Sequence, residues 1–207
     1  MEWSNISNLK VGSWWGRTIL FLLFCWLILF SFGFVSPSAK EQIRWKSPSQ
    51  LSADDFRKPK AGRKVKMKTG RRTYRVLEGY IYSGIAFSYS VYGEKVSYEV
   101  YSFMLPDESW LADPDNAATL EHEQAHFNIS EIYARKLRNK LSRIRNHIVA
   151  REEYQRMMKE LEKTQDEFDH DQEGESGVTS EWQQKISDSL KEYDEFTSSS
   201  VVPSKAH

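Results

Sequence analysis

The chain has almost nothing with which to cross-link itself. Of its 207 residues only Cys25 is a cysteine, and it lies inside an apolar run with no small residues ahead of it of the kind a bacterial lipoprotein signal needs. Everything beyond that run can form no disulfide, and a metal site there must be built from His, Asp or Glu. Helix breakers are missing from one long stretch: neither glycine nor proline occurs between Pro114 and Gly174. Net charge is missing too, with 29 Lys and Arg against 29 Asp and Glu. No overall field therefore draws the chain to nucleic acid, and no specific nucleic-acid partner is expected.

Long apolar runs are absent except at one place. Thr18 to Val35 is almost uniformly apolar, with Lys10 and Arg17 ahead of it. About eighteen residues is the lower limit for a spanning helix and exceeds the usual core of a signal peptide. Ser36-Pro37-Ser38-Ala39 offers small residues for cleavage, although the proline suits that poorly. As a cleaved signal or as a membrane anchor, the run is expected to export the domain behind it, to the periplasm or beyond. Lys40, Arg44 and Lys46 lie just past its end, so the charge on its two flanks does not fix orientation. The chain divides on this reading into 1–39, signal or anchor; 40–196, the domain; and 197–207, a disordered tail.

Within the domain, Ser52 with Asp55 suggests a short capped turn. A basic tract then runs from Arg57 to Arg75 with no acid in it. Its two readings are attraction to anionic lipid, cell-wall polymer or nucleic acid and a solvated loop with an edge strand that uses charge to resist pairing. The second is the simpler. From Tyr74 to Leu105 aromatic and β-branched residues alternate with polar ones, punctuated by Gly79, Gly84 and Gly93. This reads as antiparallel strands, with a hairpin turn at Tyr92-Gly93-Glu94-Lys95. Phe87, Tyr89 and Val91 against Ser88 and Ser90 predict one buried face.

The chemistry is concentrated in Leu120-Glu121-His122-Glu123-Gln124-Ala125-His126-Phe127. It contains His-Glu-x-x-His. On a helix the two histidines fall on one face, one turn apart, where both imidazoles can reach one zinc ion. Glu123 then stands beside them, placed to take a proton from water. Asp113 as N-cap and Pro114 in the first turn start the helix. On a wheel of about 100° per residue His122, His126, Ile129, Tyr133, Leu137 and Ile144 share a face. Leu120, Phe127, Ala134 and Leu141 make a second apolar strip near Glu123, and Glu121, Asn128, Glu131, Arg135 and Asn139 point the other way. Both histidines and Glu123 therefore look inward. Glu131 is the wrong way round to be a third ligand.

Further apolar stripes recur at helical spacing: Tyr154, Met157, Met158, Leu161, Gln165 and Phe168, then Trp182, Ile186, Leu190 and Tyr193 after Ser180-x-x-Gln183. These are core positions on the simplest reading, the second set opened by a capping box. If the chain turns back near Asn146-His147, equal lengths of the two arms bring residues 168–172 opposite 122–126. Asp169, His170 and Asp171 are then the candidates for the third ligand.

Three stretches carry a resemblance. They are Trp45 through Leu51 to Asp55-Phe56; Ser109-Trp110 with Leu120 to Phe127, Ile129 and Glu131 to Leu137; and, more weakly, Phe168-Asp169 with Trp182. Together they span most of residues 43–192. The sequence resembles the bacterial family of secreted zinc-dependent proteases known from their sequence and catalogued as a domain of unknown function. Phe168 and Gln172 stand where that family's Tyr-Asp-x-x-Thr pattern has tyrosine and threonine. The resemblance implies export and a peptidase-like zinc site.

The expectation is an α+β fold: a small antiparallel sheet, a helical hairpin and a further C-terminal helix, zincin-like, after an N-terminal apolar helix. A sheet followed by such a helix is also the order in thermolysin-type zinc peptidases, by analogy. The expected activity is that of an exported or anchored zinc metallopeptidase acting on a peptide or protein, with zinc on His122 and His126 and Glu123 as the catalytic base. The competing expectation is a non-catalytic envelope protein whose motif is a structural metal site or a pair of packed histidines.

Overall fold

The alternation between Ser83 and Met104 folds as one long hairpin. Strand β5 (Ser83–Tyr92) pairs with β6 (Lys95–Met104) along its whole length, from Ser83 opposite Met104 to Tyr92 opposite Lys95. The turn is the expected one. Gly93 has φ +59°, a left-handed conformation open to a residue without Cβ. In this computed structural model residues 41–48, 50–57, 66–68, 74–76, 78–173, 175 and 177–204 are described, with the backbone alone for 66–68 and 74–76. The apolar run Thr18–Val35, and with it the expected N-terminal helix, lies outside them. No helix among the described residues is long and apolar enough to cross a membrane.

Strand β6 is the centre of a four-stranded antiparallel sheet. Strand β1 (Ile43–Arg44) pairs with its Phe103–Met104 end, and β8 (Ser200–Val201) pairs at Tyr98 and Glu99. The tail expected to be disordered thus closes the sheet, and Val201 is buried against the core. Two short ribbons stand apart. Strand β2 (Lys66–Lys68) pairs with β3 (Tyr74–Val76) inside the basic tract, and β4 (Gly79–Tyr80) pairs with β7 (Trp110–Leu111). The single buried face expected for β5 holds through Ile85 and Phe87 and then fails. Tyr89, Val91 and Tyr92 are exposed, because the helical layer ends at the level where the His147 ring stacks on Tyr89.

Of three helices, α1 (Ala117–Leu141) and α2 (His147–Asp171) pack on the sheet, and α3 (Ser180–Glu192) packs on α1. The fold is α+β. The start of α1 differs from expectation. Its cap is Asn116, whose side chain accepts from the backbone of Ala118 and Thr119, while Asp113 closes the preceding turn onto Asp115. Likewise α3 is entered from Thr179 without the predicted Ser180 box; Gln183 instead donates to Glu121. The turn near Ser52 forms as expected, with Asp55 accepting from the Ser52 backbone and hydroxyl.

The hairpin between α1 and α2 needs no glycine. Successive backbone bonds from Arg143 and Ile144 back to Lys140 and Leu141 tighten the chain, and Tyr98 Oη donates to the Ile144 carbonyl. Asn146 then caps α2 by accepting from Ile148 and Val149. The main core lies between sheet and helices and holds Val100, Leu137, Met157, Leu161, Phe168 and Trp182.

Helix α1 is covered on nearly all sides, and this corrects the wheel. Glu131 and Arg135, expected to point away from the protein, are each 2 % exposed. Glu131 accepts from Arg135 Nε at 3.0 Å, Arg138 Nη1 at 2.8 Å and Ser102 Oγ at 2.6 Å. The arginines go on to the carbonyls of Leu190, Val100 and Phe196. Two guanidinium groups and one carboxylate thus tie α1 to the sheet, to α3 and to the chain after it, and buried charges survive because each is paired and hydrogen-bonded.

Candidate metal centre

His122 and His126 project from the face of α1 that meets the last turns of α2. Their rings lie with centroids 4.8 Å apart and nearly edge to face. Phe168 packs against both at 4.8 Å and is itself backed by Trp182. This aromatic wedge sets the imidazoles so that their Nε2 atoms face one point, 3.1 Å apart. One residue beyond the wedge, Asp169 brings Oδ1 to 3.0 Å from each Nε2. His122, His126 and Asp169 form the one group of three metal-ligating side chains that converges among the described residues.

The other two candidates for the third position are elsewhere. His170 is exposed, with Nδ1 3.9 Å from Glu173 Oε2, and Asp171 accepts from Trp182 Nε1. The helical period separates them: on α2 each step of one residue turns the side chain by about 100°, so only one of the three neighbours can face α1.

The triangle fits a small cation. Its sides are 3.0, 3.0 and 3.1 Å. Donors at that mutual spacing could all reach one ion at the usual ~2.05 Å. Two imidazoles and a carboxylate are a donor set that suits zinc. Gln165 strengthens the fit. Its Nε2 donates to the His126 carbonyl at 3.0 Å and to Ser130 Oγ at 3.2 Å. A carbonyl can only accept, so this fixes the amide orientation and turns Oε1 toward His126 Nδ1. Nδ1 must then carry the proton, and the Nε2 lone pair is free for a metal. Sequence reasoning placed Gln165 in an apolar stripe. The available signal was its position four residues before Asp169, on the same face of α2.

Glu123 lies behind the triad, 4 % exposed. Burial pushes its pKa up, and the neighbouring histidines and the Ile81 N–H only partly offset this. Burial disfavours the charge on Asp169, but the hydrogen bonds of His122 and His126 outweigh it and hold this carboxyl well below the usual range. Burial also opposes the charge on His126, yet Asp169 and Glu123 leave its pKa raised. Two acids close enough for the charge of Asp169 to act on Glu123 are thus driven in opposite directions, the condition for dividing ligand and proton-carrier roles between them.

Strand β4 closes over Glu123. A Cβ on Gly79 would stand 2.7 Å from Glu123 Oε1 and 2.7 Å from Thr119 Cγ2. Only glycine leaves room there for the carboxylate, a requirement that the sequence showed merely as punctuation between strands. The triad opens into a cleft of about 890 Å³ between α1, α2 and the segment from Glu78 to Ser83. Comparison with protein-family models, curated proteins and solved structures finds no match to this chain.

Proposed function

We propose that this protein is a zinc-dependent hydrolase of the peptidase kind, with His122, His126 and Asp169 as metal ligands and Glu123 as the base. The observation that carries the reading is the three-sided convergence of donors at 3.0–3.1 Å beside a buried carboxylate, at the wall of an open cleft. When bound, zinc supplies Lewis acidity, acidifying water and polarising a carbonyl. Everything else falls to the chain. Gln165 holds the His126 tautomer. Phe168 fixes both ring planes. Glu123, poised by burial nearer to neutrality than a surface glutamate, takes a proton from the attacking water and can return it to the leaving amine.

The sheet followed by the motif helix supports a zincin-like reading of the fold. The resemblance to the secreted zinc-protease family agrees with the same assignment, as does export by the apolar run ahead of the domain. A non-catalytic core pair of histidines would be satisfied by separate partners and walled from solvent. These two share one carboxylate, and His122 and Asp169 are partly open to the cleft. The test is zinc content and peptide hydrolysis of the wild type, His122→Ala and Glu123→Gln. The expected result is zinc in wild type and Glu123→Gln but not in His122→Ala, with hydrolysis in the wild type alone. Equal zinc in His122→Ala ends the ligand assignment. Undiminished hydrolysis by metal-loaded Glu123→Gln ends the mechanism.

A further inference from the structure

The cleft's two walls differ in chemistry. On one, Tyr80 and Tyr82 line the space and leave 39 % and 45 % of their surface open. On the other, Glu162 and Asp166 project from α2 into the same space. Both are exposed, and neither has a partner among the described residues. Glu175 adds a third carboxylate to the rim, and among the described residues Lys159 is the single lysine or arginine in the lining. Carboxylates without counter-ions can be a solvated helix face. Here they stand across a cleft from exposed rings, and the two together match one kind of group: a guanidinium or ammonium that pairs with a carboxylate and lies over an aromatic face.

Spacing adds to this. At about 1.5 Å per residue, Asp166 and Glu162 stand ~4.5 and ~10.5 Å from Asp169 along the axis of α2. An extended peptide advances about 3.3 Å per residue and returns to the same face every second one. The two carboxylates are therefore ~6 Å apart along that axis, close to the i to i+2 repeat of a strand.

We propose that the cleft selects peptides with arginine or lysine within about three residues of the bond at the metal. Arginine is preferred, since its planar fork can stack and pair at once. This rests on the hydrolase reading for the place of the bond, but not for the binding of the cation.

The test uses the full chain, detergent-solubilised and zinc-loaded. Binding of fluorescent peptides to Glu123→Gln is measured by anisotropy, and their hydrolysis by the wild type is monitored in parallel. The peptides differ only in carrying Arg, Gln or Glu at two positions two residues apart. The expected result is at least tenfold tighter binding of the Arg peptide than of the Gln peptide, weakened by salt. The double change Glu162→Lys with Asp166→Lys should reverse the order toward the Glu peptide. Glu162→Gln with Asp166→Gln should abolish the preference without reversing it, with helix content unchanged. Equal binding of Arg and Gln peptides, binding of none of them, or a preference that survives the lysine pair overturns the proposal. Selective binding without hydrolysis supports the cation site and rejects the hydrolase. Hydrolysis without selectivity does the opposite.

Discussion

Replacing Gln165 by leucine asks whether this side chain holds a metal ligand or merely fills space. The substitution removes the acceptor on His126 Nδ1 and the donors to the His126 carbonyl and Ser130. The carbonyl keeps a partner in Ser130 Oγ, so the buried group left without a partner is His126 Nδ1–H, at a cost of about 1–3 kcal/mol that the fold should survive. What is lost at the metal is one hydrogen bond, about 0.5–1.5 kcal/mol, together with the fixed tautomer and ring orientation. Losing the partner that orients a metal-binding histidine costs about 10–100-fold in metal affinity, or ~1.4–2.8 kcal/mol. The assay is competition for zinc against a chelator of known affinity, beside urea unfolding of the metal-free protein. Gln165→Leu should bind zinc about 10–100-fold more weakly while the metal-free protein still unfolds cooperatively, destabilised by no more than about 1–3 kcal/mol. Gln165→Glu, which keeps an acceptor on Nδ1, should recover most of the affinity. Zinc affinity in Gln165→Leu within about threefold of wild type would falsify the assignment. Equal losses in both variants would make Gln165 a packing residue.

Gly79→Ala forces a Cβ to 2.7 Å from both Glu123 and Thr119. It should cost about 1–3 kcal/mol of stability and lower kcat far more than zinc content, read by calorimetry and metal analysis; an active, equally stable Gly79→Ala contradicts the close approach. Glu131→Gln leaves Arg135 and Arg138 without their shared carboxylate and should destabilise by about 3–5 kcal/mol in urea, with the zinc ligands untouched; a loss below about 1 kcal/mol rejects the network as a tie. The pH dependence has a definite sign. The raised His126 pKa makes the His126–Asp169 pair stabilise the metal-free protein below the ordinary histidine range, a contribution lost as pH rises through the folded value. Zinc must displace that proton, so the thermal shift on adding zinc should grow from about pH 5.5 to 8. A shift that is flat or falls over that range refutes the coupling.

The hairpin of helices entered the sequence reading only as a supposition, because no glycine or proline marks its turn. Asn146 was the signal available to support it. Its side chain caps α2, and a cap is a sequence signal for a helix start that does not depend on a breaker ahead of it. Once the turn was placed there, equal arm lengths put the segment around Asp169 against the histidines. The start of α1 was misread because Asp113, Asp115 and Asn116 are all competent caps, and only the turn geometry decides among them. The far edge of α1 was misread for a different reason. A helical wheel sorts residues by polarity, and a polar residue is counted as outward-facing. Glu131, Arg135 and Arg138 satisfy one another inside, and no single-residue scale records a compensation among three side chains and carbonyls far along the chain.

The site shows the same division. His122, Glu123 and His126 could be read because their relation is local, fixed by about 3.6 residues per turn on one helix. Asp169 could be narrowed to three neighbours and no further, because choosing among them takes the rotation of α2 about its own axis. That rotation is set by Met157, Leu161 and Phe168 entering the core, which is information about packing. Gln165 and Gly79 were invisible as functional residues. One acts through an amide that must be seen facing a ring, and the other acts by what it lacks. The two share a physical role. A buried carboxylate and an imidazole with a free Nε2 are each unfavourable arrangements in isolation. Such groups persist only where neighbours hold them in place, so the residues that constrain Glu123 and His126 are as much a part of the proposed chemistry as the groups that would carry it out.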